Sequence, residues 1–353
     1  MKKAAFFILL ILFLTSCPNR MKYSTGYFQE DVVNFGDVNS EYDDYNMDDP
    51  SIHNYSLFHF SSNRNSLGRD FDIIGERMYF IWSKEEGTLD IGTDLNLDWF
   101  DYLIPLFDSV NTSCNELGPY TLDYSNDISD TEIEWTDILL YANDCDGDFD
   151  IKFVCNERTD LSGTEVVKMM PPKEIGFINT EANELYPSFY GTGFYNIDLW
   201  GTDPYKIEKM LFCSDRNGSF DIFEIDLPDS IGIKRILTGE FLMEPGSLAV
   251  IPLALNSSYD DKCPSVNGRL LVFASDRPGG YGGFDLYYSL FSNGTWSEPV
   301  NFGEKINSEY DEYRPVTLHH DQFDNNLMIF SSNRPGGYGG FDLYHVGISQ
   351  MIR

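Results

Sequence analysis

The run "SDRPGGYGGFDLY" from Ser275 to Tyr287 returns as "SNRPGGYGGFDLY" from Ser332 to Tyr344 with one residue changed. A catalytic loop needs only one copy, whereas a structural joint recurs and degrades in step with the fold. Aligning the chain on the Phe-Asp pair recovers three more copies: "FHFSSNRNSLGRDFDII" (Phe58–Ile74), "LLYANDCDGDFDIKF" (Leu139–Phe153) and "MLFCSDRNGSFDIFE" (Met210–Glu224). Their aspartates are Asp72, Asp150, Asp221, Asp285 and Asp342. Five copies of one phrase define a fold of like units.

Each copy reads as strand, turn, strand. An apolar run such as Leu271-Val272-Phe273-Ala274 leads into Ser-Asp/Asn-Arg and a Gly- or Asn-rich turn, and Phe-Asp-aliphatic-aromatic opens the second strand. Glycine reaches the positive φ angles of a tight hairpin and has no Cβ to clash. The pairs Arg64/Asp72, Arg216/Asp221, Arg277/Asp285 and Arg334/Asp342 flank the turns. Each is expected to meet across its hairpin as a clasp, with the Asp also accepting turn N–H groups.

A second element lies upstream. "INSEYDEYRP" carries Asn307, Glu312 and Pro315; "VNTSCNELGP" carries Asn111, Glu116 and Pro119; "INTEANELYP" carries Asn179, Glu184 and Pro187; "VNSEYDDYNM" keeps Asn39 and Asp44. The stretch Gly239–Asn256 does not match, which marks the fourth repeat as divergent. One acidic turn, one strand, a hairpin and an outer segment make four short strands per unit, the pattern of a β-propeller blade. The linker "GTWSEPVNFGEKINSEY" (Gly294–Tyr310) is mirrored at the N-terminus by "GYFQEDVVNFGDVNSEY" (Gly26–Tyr42), while the fifth hairpin ends near Arg353 without one. The fold class is therefore all-β: one five-bladed propeller over residues 26–353, closed by an outer strand from the N-terminus, which leaves no sheet edge open. Insertions at Ile74–Val110 and Ile222–Asn267 break the symmetry and are the expected contact surface.

The Ser-Asp/Asn-Arg, Gly-rich, Phe-Asp-aliphatic-Tyr hairpin with its Trp-Ser-Glu-Pro linker (Trp296–Pro299) resembles the WD-like propeller repeats of bacterial envelope proteins, the class that includes TolB. That resemblance implies an interaction platform and no reaction. The N-terminus is similar to a bacterial lipoprotein signal: Lys2-Lys3, an apolar run Ala4–Leu14, then Leu14-Thr15-Ser16-Cys17. Residues 1–16 are thus expected to be removed, Cys17 to be lipidated, and residues 17–25 to tether the ring to a membrane, with the outer membrane the expected location.

The full chain carries a formal charge of −33, and removing residues 1–16 takes away two lysines and no acid. Such a charge speaks against nucleic acid and against binding anionic lipid through the protein surface. Five cysteines remain after Cys17, so at least one is unpaired even in an oxidising compartment. "NDCDGDFD" sets Asp144, Asp146, Asp148 and Asp150 around Gly147, a pattern like the core of a calcium loop without its bidentate Glu; an acidic hairpin turn is the alternative. Apart from that calcium possibility, no cofactor is expected. Asp44, Glu116, Glu184 and Glu312 hold like places at the start of the innermost strands and offer a ring of channel carboxylates, or else hydrogen-bond acceptors within each repeat. No G-x-S-x-G, H-E-x-x-H or P-loop motif is present. The reading from sequence is a non-catalytic, lipid-anchored propeller that binds an envelope protein. The alternative is a glycan-binding or glycan-cleaving propeller, since five-bladed rings also host carboxylate-driven glycosidases.

Overall fold

The structure, a computed structural model, describes residues 23–48, 55–93, 103–129, 132–161, 164–191, 207–228, 237, 248–320 and 322–351. The expected signal peptide, Cys17 and most of the tether lie outside these residues. The chain forms five small antiparallel sheets arranged as a five-bladed β-propeller. After β1 (Val33–Asn34), blade one is β2 (Asp44–Asp48), β3 (Tyr55–Ser62), β4 (Asp72–Ser83) and β5 (Thr88–Thr93). A helix α1 (Ile104–Val110) leads to blade two: β6 (Glu116–Ser129), β7 (Glu132–Asn143), β8 (Asp150–Leu161) and β9 (Thr164–Glu174). Blade three is β10 (Glu184–Tyr190), β11 (Lys209–Ser214), β12 (Asp221–Asp226) and β13 (Val250–Pro252). Blade four is β14 (Asp261–Asn267), β15 (Leu270–Ser275) and β16 (Asp285–Ser292), with β17 (Thr295–Trp296) and β18 (Val300–Asn301) outside. Blade five is β19 (Glu312–Leu318), β20 (Asn326–Ser332) and β21 (Asp342–Ile348), and β1 is its outer strand, pairing Val33 with His345 and Asn34 with Tyr344.

The apolar runs that sit in the second strands are buried on both faces, as in β15 and β20, because each sheet is covered by a neighbour on either side. Each seam has its own hydrophobic cluster. Phe58 and Met78 meet Val316 and Ile329 between blades one and five; Leu57 and Phe107 meet Leu139 between one and two. Ile138 and Phe153 meet Phe212 between two and three, Leu211 meets Phe273 between three and four, and Val272 meets Phe330 between four and five.

The Asn of the upstream element closes these seams. Asn39, Asn111, Asn179, Asn256 and Asn307 each accept the N–H and donate to the C=O of one third-strand residue in the preceding blade: Leu343, Ile73, Ile151, Ile222 and Leu286. Asn256 corrects the sequence expectation. The fourth repeat is not divergent, because "LNSSYDDKCP" holds Asn256, Asp261 and Pro264 at the usual spacing. Just after each acid the inner strand bulges through a left-handed residue: Asn46, Gly118, Tyr186, Cys263 and Arg314, at φ of 45–61°. The Pro that follows four of them sits at the bulge, where the missing N–H costs no ladder bond. The expected insertion Ile74–Val110 is largely blade one's own third and outer strands plus α1.

The opening phrase is an inter-blade joint. A Cβ on Gly282 would run into the carbonyl of Tyr310 in blade five, and one on Gly339 into that of Tyr42 in blade one. Only glycine lets these hairpins lie so close on the next blade. Gly339→Ala should therefore destabilise the ring by about 2 kcal/mol or more, since it is backbone that must give way; urea unfolding of the variant measures this.

Candidate functional site

In an antiparallel meander alternate loops fall at opposite ends. The hairpins between second and third strands and the loops entering the inner strands therefore share one end of the ring, called here the hairpin end. Everything that the repeated phrase supplies gathers there.

The hairpin arginines do not meet the hairpin aspartates. Arg64, Arg216, Arg277 and Arg334 turn inward to Asp44, Glu184, Asp261 and Glu312, with N–O distances of 2.6, 2.9, 2.6 and 2.8 Å. Each also donates to a loop carbonyl, that of Val38, Ile178, Leu255 or Ile306. The aspartates bind their own turns and the outer strand: Asp285 accepts from Tyr281 and Gly282 N–H and from the Asn301 amide, Asp342 from Tyr338 and Gly339 N–H and from the Asn34 amide, and Asp72 from Asn65. Burial pushes the Asp221 carboxyl up, while a hydrogen bond from Asn217 lowers it. The reason is electrostatic. An inner acid has no exposed surface and needs a cation, whereas a turn aspartate is already satisfied by backbone. Asp44, Glu116, Glu184 and Glu312 are consequently sealed into the blades, 0% exposed, and do not form an open ring of channel carboxylates.

Blade two departs from this scheme. Cys145 stands where the other blades have Arg, and it is disulfide-bonded to Cys114 in the loop entering β6. The bridge joins the two segments that the ion pair joins elsewhere. Glu116 then relies on Thr112 and Asn143, at 2.7 and 2.6 Å. Burial pushes its carboxyl up to about 7, against hydrogen bonds from those two residues that lower it. Cys155, Cys213 and Cys263 are buried and lie outside the bridge.

The four aspartates of the calcium-like loop are not brought together. Asp144 accepts from the N–H and side chain of Asn115, and Asp146 takes the Lys152 ammonium at 2.8 Å. The acids whose oxygens approach one another are Asp146, Asp150 and Glu174, and Lys152 stands 3.9 Å from Glu174 as well. One ammonium, that of Lys152, offsets part of the charge of those three acids.

Two features of the hairpin end were not foreseen from sequence. The first is a ring around the axis. The phenylalanines of the five Phe-Asp pairs alternate with the residue after each inner acid. Tyr45 lies 5.1 Å from Phe341 and 6.1 Å from Phe71, and Tyr313 lies 4.6 Å from Phe284 and 5.9 Å from Phe341 (ring centroids). The Lys262 ammonium sits 4.1 Å from Phe220 and 5.1 Å from Phe284, and Leu117, Phe149, Leu185 and Phe220 complete the circle. Beneath it the left-handed residues converge. Arg314, 1% exposed, stacks 5.4 Å from the Tyr186 ring and donates to the Pro119 carbonyl, and Asn46 donates to the Tyr186 hydroxyl. The axis thus holds a cation resting on an aromatic face.

The second feature is an arc of tyrosines. Tyr259, Tyr281 and Tyr338 are 44%, 50% and 62% exposed, with half-buried Tyr42 and Tyr310 between them. They occupy the entry loops of blades four, five and one and the hairpins of four and five. Blades two and three have Cys114 and Ala182 at the loop position and no aromatic in the turns Asp146-Gly147-Asp148 and Asn217-Gly218-Ser219.

No protein-family model matches the chain, and no curated protein matches it. Among solved structures it is similar to a glycoside hydrolase from Bacteroides ovatus (9% identity, 93% of this chain and 95% of that one, TM-score 0.42). It is also similar to the catalytic domain of an α-L-arabinofuranosidase from Coprinopsis cinerea (10%, 92% and 98%, 0.46) and to an exo-β-1,3-galactanase from Clostridium thermocellum (10%, 91% and 63%, 0.43). At such identities the likeness concerns the path of the chain and transfers no residue. It does correct the expectation of a non-catalytic protein-binding propeller of the TolB type: the structures this ring is similar to are named as glycoside hydrolases.

Two outcomes follow from blade two. Reducing the Cys114–Cys145 bridge should cost about 3 kcal/mol, because it closes a loop of 31 residues. Cys145→Arg with Cys114→Ser should recover part of that loss by restoring the ion pair; denaturant midpoints with and without dithiothreitol measure both. Glu116 holds its proton in the folded chain between about 4.5 and about 7, where the unfolded chain has released it. Its contribution is full below that window and lost as pH rises through about 7. Wild type should lose stability across this window relative to Glu116→Gln, read by thermal melts at stepped pH.

Proposed function

We propose that this propeller is a glycan-binding protein of the bacterial envelope, gripping a neutral sugar chain across the tyrosine arc and held to a membrane by lipid on Cys17. The observation that carries the reading is the confinement of five tyrosines to three adjacent blades. Elements that serve the fold recur in all five repeats; an aromatic surface on three of them serves something else. Exposed aromatic rings beside polar groups suit the C–H faces and hydroxyls of a sugar. The exposed Glu41 and Glu309 lie beside Tyr42 and Tyr310 as hydroxyl acceptors. A net charge of −33 repels acidic sugars and so favours neutral ones. Cleavage needs two carboxyls flanking the bound sugar. The inner acids are fully buried and bonded within their blades, which leaves the exposed Glu41 and Glu309 as the carboxyls beside the arc, and their role in this reading is to accept sugar hydroxyls. The WD-like phrase and the Leu-Thr-Ser-Cys17 signal stay with this reading as the grounds for an envelope location.

A panel of neutral and acidic oligosaccharides, read by calorimetry and for released reducing ends, tests it. Binding of a neutral glycan that Tyr281→Ala with Tyr338→Ala weakens about tenfold, roughly 1.4 kcal/mol, is the expected result. Binding untouched by those changes would remove the arc from the reading. Sugar release abolished by Glu41→Gln or Glu309→Gln would make the protein a hydrolase instead.

A further inference from the structure

The chain enters the ring at the end opposite the tyrosines. Tyr23 N–H donates to the Lys84 carbonyl at 3.1 Å, in the turn between β4 and β5. Gly26 N–H donates to Gln322 at 2.6 Å and its carbonyl accepts from Asp324 at 3.0 Å, both in the turn between β19 and β20. Thr25 donates to the Asp324 carboxylate at 2.7 Å, and Phe28, 2% exposed, stacks on Phe323 with centroids 3.9 Å apart. From there the chain crosses to the hairpin end through β1 and reaches it at Asn39–Tyr42, where Gly339 packs on Tyr42.

We infer that the end of the ring bearing the β4–β5 and β19–β20 turns faces the membrane, and that the tyrosine arc points away from it. The inference rests on the lipid tether proposed above. Five residues lie between Cys17 and Tyr23, so six Cα steps span at most about 20 Å when fully extended. The inner strands, five residues in β2 and seven in β19, hold the two ends about 15–25 Å apart at their usual rise. A tether that short, leaving from one end, lets the opposite end rest on the bilayer only when it is drawn out nearly straight along the rim, whereas the end it leaves from can lie on the bilayer with the tether slack. Residues 23–28 are fastened by at least six hydrogen bonds to the ring, two of them between Phe28 and Asn325, and by a stacked ring pair. Glu30, Glu85, Glu86 and Asp90 are exposed near the entry point, so anionic lipid does not draw this face in by charge. No helix among the described residues is long and apolar enough to cross a membrane. Anchoring and ligand binding then occupy opposite ends and do not compete.

The test uses the full lipidated chain in vesicles that carry nitroxide lipids. Cys155, Cys213 and Cys263 are buried and Cys114 and Cys145 are bridged, so a new surface cysteine takes a fluorophore selectively. Glu86→Cys places the label at the membrane end, and Asn217→Cys places it on the third hairpin. Quenching several-fold stronger at residue 86 than at residue 217 is expected, with vesicle binding lost in Cys17→Ser. Equal or reversed quenching in a protein that still binds vesicles overturns the orientation alone. A wild-type chain that does not bind vesicles overturns the tether and the orientation together.

Discussion

A blade of this ring cannot satisfy its own backbone. The third-strand N–H and C=O of Ile73, Ile151, Ile222, Leu286 and Leu343 are met by an asparagine from the next blade. The N–H of each inner acid donates to the carbonyl of the preceding blade's hairpin phenylalanine, as Asp44 does to Phe341 and Glu312 to Phe284. Buried peptide groups left without partners are costly, so five such seams make closure nearly all-or-none. The N-terminal strand matters for the same reason. β1 contributes only two ladder residues, but the segment behind it brings Asn39, Asp43 and Asp44 to the last seam.

Charge is arranged in the same economy of partners. Four inner acids are held by arginines that also reach a loop carbonyl, and blade two replaces that contact with a covalent bond. Glu116 is left without a cation and stays protonated to higher pH than an exposed glutamate. The inner acids, for which the sequence offered either a circle of channel carboxylates or acceptors within each repeat, take the second course, and the axis carries Arg314 against Tyr186. A strongly acidic chain can bury its acids safely only by bonding them inside the blades, as Asp44, Glu116, Glu184, Asp261 and Glu312 are.

Repetition and its breaks separate fold from function. The Asn, acid, Pro and Phe-Asp positions recur because every seam needs them. The tyrosines at 42, 259, 281, 310 and 338 do not recur in blades two and three, and three of them, Tyr259, Tyr281 and Tyr338, are exposed. With the chain entering at the opposite end, they form a surface that is free to meet a ligand.

Much of the fold was legible in the residues. Phrase spacing announced five units, and the mirrored linkers announced an N-terminal outer strand, because both follow from local patterns of turn and strand. Asn256 is equally legible, because "LNSSYDDKCP" sets it five residues before Asp261 and eight before Pro264, a spacing that the unmatched residues from Gly239 onward mask. The partner of each arginine was not legible. Sequence puts Arg277 beside Asp285, but the folded hairpin aims its guanidinium across the blade to Asp261, where burial makes a counter-charge indispensable. The bridge between Cys114 and Cys145, the aromatic circle and the tyrosine arc likewise join residues distant in the chain. Local pattern determined the number and order of the strands; only curling the five sheets about one axis decided which side chains share an end, because that neighbourhood is set by closure and not by spacing.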